Sequence, residues 1–161
     1  MKSEKRDRSQ LTRILVRKYR IIRQSCDEVI LERMHREESY CESFEWFEQM
    51  MQGRDPDRIF EELHKTSERT EAIICRIERA MEIYGQMARK EDLQSWREYD
   101  ALYSVYFSGF SNSKVRIREI SRKYGVKKST IYDDIKTAQT RLESVLFGDQ
   151  SSPSNIFLEH E

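Results

Sequence analysis

The chain is poor in everything that interrupts a helix. Two prolines and five glycines punctuate 161 residues, and such sparse punctuation favours long helices. It is also poor in cysteine. Cys26, Cys41 and Cys75 are widely spaced, and an odd count without a secretory signal argues for reduced thiols in the cytoplasm. Lys2, Lys5, Arg6 and Arg8 open the chain, but no apolar segment of a signal peptide follows. No apolar run approaches the ~20 residues of a membrane span. His35 and Cys41 have no partners at ligand spacing, so no metal is expected. A glycine-rich phosphate loop and a G-x-S-x-G elbow are both missing, which argues against an enzyme and against a cofactor. Apolar residues make up only 37%, below the ~45–50% usual for a globular domain with glycine included. A thin core and an elongated, all-α chain follow.

What the sequence has in excess is charge, arranged in blocks. The formal net charge is zero, but residues 1–24 hold nine Lys or Arg against two acids, and residues 27–62 hold twelve acids against four Arg. From Lys114 to Arg141 there are nine Lys or Arg against Glu119, Asp133 and Asp134. The tail from Glu143 onward is acidic. Blocks separated by more than ~10 Å act nearly independently in salt, so this asymmetry matters more than the sum.

In chain order, residues 1–53 read as a basic-then-acidic helical region. Leu11, Leu15, Tyr19, Ile22, Cys26 and Val29 fall three or four apart, and Tyr40, Phe44, Phe47 and Met51 resume the stripe. The stretch from Glu32 to Ser39 is polar apart from Met34, which is compatible with a break or with a solvent-exposed stretch. Asp55 and Pro56 suit the cap and first position of a new helix. This long helix spans 55–90, with Ile59, Leu63, Thr66, Thr70, Ile73, Ile77, Ala80, Tyr84 and Met87 in a heptad-like stripe. Exposure of such a stripe suggests a homodimer through the N-terminal helices; an intramolecular bundle is the alternative. Residues 91–148 form the next unit. Its first helix starts near Asp92, and Leu93, Trp96, Tyr99, Leu102, Tyr103, Tyr106 and Phe107 are its expected core. Residues 149–161 are short, polar and acidic, and read as a flexible tail.

The stretch from Ile117 to Leu142 carries the most information. Ile120 and Tyr124 can share one helix face. Gly125 follows, where a chain leaving a helix often needs positive φ, and Val126 suits the corner. Ile131, Ile135, Ala138 and Leu142 then recur at spacings of four, three and four, the buried stripe of a second helix. An ordinary helical hairpin would share this pattern, but it needs no cationic excess. A phosphate-binding surface does. The outward residues Lys127, Lys128, Ser129, Thr130, Tyr132, Asp133 and Lys136 are candidates for base edges in the major groove. Arg116, Arg118, Arg122, Lys123 and Arg141 are candidates for phosphates.

The segment from about Trp96 to Phe147 resembles region 4 of bacterial sigma factors and their helix-turn-helix relatives. The likeness rests on LYSVYFSGF, IREISRKYGV and KSTIYDDIKTAQTRL. With a heptad-bearing helical half ahead of it, the chain is similar to phage late-gene transcription activators of the ArpU and RinA type. The resemblance implies an elongated helical N-terminal region followed by a small DNA-binding domain. It also implies action on double-stranded DNA, with RNA polymerase as a partner. Three features depart from the pattern. FSNSKVR is longer than the usual link, and Lys127 stands where the family commonly has a capping serine, a role Ser129 could take. Asp133 and Asp134 stand where relatives are often basic. They either read cytosine amino groups or pair with Lys127, Lys128 or Lys136. Two rival functions remain open: a small-terminase-like DNA packaging protein, and a helical protein-interaction adaptor that binds no DNA.

Overall fold

A computed structural model describes residues 2–37, 67–109 and 112–148, and among these every regular element is helical. No described helix is long and apolar enough to cross a membrane. The calls on 38–66, among them Tyr40, Phe44, Phe47, Met51, Ile59, Leu63 and the Asp55–Pro56 cap, lie outside the described residues, as does the tail.

Backbone contacts divide the chain into two compact units, 1–80 and 81–161. In the first, α1 (Lys2–Gln24) and α2 (Glu28–Glu37) flank a three-residue break. Leu11, Leu15, Tyr19 and Ile22 are buried, as their spacing predicts. Cys26 is only half-buried and Val29 is exposed. The break falls ahead of the polar stretch, because Asp27 caps α2, and of the two alternatives for Glu32–Glu37 the solvent-exposed one holds. The Asp27 carboxylate accepts from the Val29 and Ile30 amides at 2.9 and 3.3 Å. The polar run Glu32–Glu37 stays helical and solvent-facing on most sides.

The third helix, α3 (Ser67–Lys90), begins in the first unit and ends in the second. Ile73, Ile74, Cys75 and Ile77 are buried. Arg23 reaches Glu78 at 3.0 Å, and His35 reaches the other Glu78 oxygen at 3.3 Å. The Cys75 thiol points at the Leu31 carbonyl. Burial pushes the Cys26 thiol up to about 11 and the Cys75 thiol up to about 12, so both stay protonated and poorly reactive at neutral pH.

The second unit contains the last turns of α3, then α4 (Leu93–Leu102), α5 (Ser113–Tyr124) and α6 (Lys128–Leu146). Asp92 caps α4 by accepting from the Ser95 amide at 2.7 Å. A π-helical segment, Tyr103–Phe107, extends α4 and closes with Ser108 N–H donating to the Tyr103 carbonyl. Gly85 of α3 sits where a Cβ would come within 2.8 Å of the Tyr99 ring, so a side chain there would displace the ring.

The core of this unit differs from the expected aromatic stripe. On α4 and its π-helical extension the buried positions are Ser95, Glu98, Ala101, Leu102 and Val105, of which Leu102 alone belongs to the expected cluster. Leu93 is 86% exposed and Tyr103 is 43% exposed. The aromatic residues form a ladder instead. Trp96, Tyr99, Tyr103 and Phe107 follow one another at centroid distances of 5.3, 6.0 and 6.5 Å. Arg89 lies over Trp96 at 5.2 Å. The buried side of α4 packs against α6.

Candidate nucleic-acid interface

Two helices joined by a tight turn build the candidate surface. Tyr124 ends α5, and Gly125 takes φ 64°, the left-handed conformation that glycine adopts at low cost. Gly125 N–H donates to the Arg122 carbonyl at 3.3 Å and Val126 N–H donates to the Ser121 carbonyl at 3.1 Å. Together these bonds make a Schellman motif. The Ser121 hydroxyl donates to the Val126 carbonyl, which ties the corner down. Only Val126, which is half-buried, and Lys127, which is exposed, separate Gly125 from α6. Lys127 occupies the cap position of α6 and supplies no side-chain cap. Ser129 does not replace it, because the helix starts at Lys128 and Ser129 is exposed within its first turn.

One side of α6 is core. Ile131, Ile135, Ala138 and Leu142 are all buried, matching the spacing in the sequence. Asp134 joins them at 4% exposure. Both its oxygens accept from Arg97 of α4, at 2.7 and 3.1 Å. The pairing expected for Asp134 with a lysine of its own helix is therefore corrected. The partner is an arginine 37 residues upstream, which reaches the carboxylate because α4 packs directly on α6. Nearby Glu98 is buried. Burial pushes its carboxyl up, Asp134 adds to the rise, and Arg141 and Arg97 oppose it.

The opposite side of α6 faces outward. Lys127, Lys128, Ser129, Asp133 and Lys136 are exposed, Tyr132 is 50% exposed and Thr130 is half-buried. All seven candidate base-contacting residues thus lie on the turn or the first half of one helix. Among the described residues, no acid pairs with Lys127, Lys128 or Lys136.

The five candidate phosphate-contacting residues separate into two groups. Arg118 and Arg122 are exposed on α5, and among the described residues neither has an acidic partner. The other three are engaged within the unit. Arg141 donates to Glu91 at 2.7 Å and lies 5.7 Å over the Tyr84 ring. Lys123 reaches Asp100 at 2.7 Å. Arg116 reaches Glu119 at 3.3 Å, and its guanidinium covers Gly109 so closely that a Cβ there would lie 3.1 Å from it.

Asp100 is a junction that sequence reading did not single out. It accepts from Lys123, from the Tyr124 hydroxyl at 2.6 Å and from Ser104 at 3.1 Å. Burial acts to raise its carboxyl, but these three hydrogen bonds hold it below the ordinary range. The same arrangement pushes the Tyr124 phenol up, burial first and Asp100 second. Asp100 thereby fixes the end of α5, and with it the turn into α6. Its nearest sequence signal was the i, i+4 spacing to Ser104. The Lys123 and Tyr124 contacts depend on tertiary packing.

Among the described residues, no group of three His, Cys, Asp or Glu side chains is placed to hold a metal ion. Compared with known proteins, the chain matches no family model, no curated protein and no solved structure.

Proposed function

We propose that the chain is a sequence-specific, non-enzymatic transcription regulator that binds double-stranded DNA through the turn between α5 and α6 and the first half of α6. One observation supports this above all. On that surface Lys127, Lys128 and Lys136 stand exposed with no acidic partner among the described residues, while Arg97, Lys123 and Arg141 of the same unit are tied to carboxylates. A cationic face without internal compensation suits a polyanion. In this reading Arg118 and Arg122 hold phosphates and set orientation. Lys128, Ser129, Thr130, Tyr132 and Lys136 approach base edges. The missing side-chain cap on α6 leaves first-turn amides that a phosphate oxygen can satisfy.

The resemblance to sigma region 4 and to phage late-gene activators of the ArpU and RinA type extends the proposal. RNA polymerase is then the partner for activation; any self-association would draw on a surface other than the α3 stripe, whose Ile73, Ile77, Ala80, Tyr84 and Met87 are buried within the chain. The test is a duplex-binding titration with Lys128→Glu. Reversal of one charge on this surface should weaken binding by about tenfold or more, with helicity and melting unchanged. Equal binding by the variant would remove α6 from the interface. No duplex binding by the native chain would remove the function.

A further inference from the structure

We infer that Asp133 selects a base pair: the duplex bound by α6 presents a cytosine amino group to this carboxylate in the major groove. The inference rests on the duplex-binding reading above and adds what the bound sequence must contain. Its starting point is the different fate of two adjacent aspartates. Asp134 is buried and has both oxygens satisfied by Arg97. Asp133 is exposed and, among the described residues, has neither an ion pair nor a hydrogen bond, although Lys136 lies one turn further on. It stands in the second turn of α6, beyond the first turn where an acid gains from the helix dipole. The fold therefore draws no evident stability from it.

On a face that otherwise attracts phosphate, an uncompensated carboxylate weakens binding to every duplex alike. What it can gain is discrimination. An ionised carboxylate only accepts hydrogen bonds. The major groove offers two exocyclic amino donors, and adenine places the N7 acceptor next to its own. Cytosine presents N4 alone, the usual partner of an acidic side chain. A carboxylate at this position thus rewards cytosine and penalises bases that present acceptors, so part of its specificity is repulsive.

Selection of bound duplexes from a random pool, with the full-length chain and with Asp133→Ala and Asp133→Asn, tests this. The native chain should enrich a motif with a C·G pair at one fixed position. Asp133→Ala should lose preference at that position alone, with discrimination falling by roughly tenfold, and should bind unrelated duplexes more tightly. Asp133→Asn should move the preference toward adenine, which accepts and donates in the pattern an amide matches. If both variants enrich the native motif with undiminished preference at every position, the inference is wrong while duplex binding stands. If the native chain enriches nothing, both fall together.

Discussion

The two sides of α6 show one kind of side chain serving opposite ends. Toward α4, Arg97 holds Asp134 in the core, and Arg141 of α6 is held by Glu91. Away from α4, Lys127, Lys128 and Lys136 stand in solvent, paired with no acid among the described residues. The first unit follows the pattern of the inner side, with Arg23 shared between Glu28 and Glu78. Cationic composition alone therefore says little about nucleic-acid binding. What matters is which cations the fold has already neutralised, and the surplus on one helix face is the quantity a polyanion would respond to.

The contrast can be broken by substitution on either side. Arg97→Ala strips the partner from a nearly inaccessible carboxylate and should cost about 3 kcal/mol or more, read as a lower denaturant midpoint. A loss near zero would mean that the seam is not the anchor of α6. Glu98→Gln should have a smaller effect of opposite sign. Because burial raises the Glu98 carboxyl in the folded state, its protonated form favours folding. That contribution is complete below the unfolded value near 4 and is lost as pH rises through the folded one. The variant should be more stable than the native chain at pH 7, and the gap should close as pH falls toward 4. Lys127→Gln, Lys128→Gln and Lys136→Gln should each leave stability within about 0.5 kcal/mol. A larger loss in any of them would mean that the outer face supports the fold after all.

Periodicity and local chemistry reveal much of this arrangement. The Ile131–Leu142 stripe, the left-handed Gly125 and the Asp92 cap are each set by residues within one or two helical turns, so they are legible in the chain. The division of labour between Asp133 and Asp134 is not. Adjacent residues differ by about 100° around a helix, and which one is buried depends on Arg97 in another helix. The aromatic residues of α4 misled for a related reason. Apolar periodicity points to Trp96, Tyr99 and Tyr103, whereas the buried side includes Glu98 and Ser95. Helix α2 carried a readable signal in Asp27, a capping residue, which the polar stretch from Glu32 obscured. Lys123 and Arg141 look equivalent to Arg118 and Arg122 in sequence, and only packing shows that they are engaged, whereas Arg116 pairs locally with Glu119 three residues on.

That last distinction gives the most direct test. Duplex affinity measured across a range of salt concentrations counts phosphate contacts, because log K falls by roughly 0.9 per contact for each unit of log salt. The double substitution Arg118→Ala and Arg122→Ala should flatten the slope by about 2 and leave melting unchanged, while Arg141→Ala should lower melting and leave the slope as it was. A slope that flattens for Arg141→Ala but not for the double variant would contradict the division between the two sets of cations.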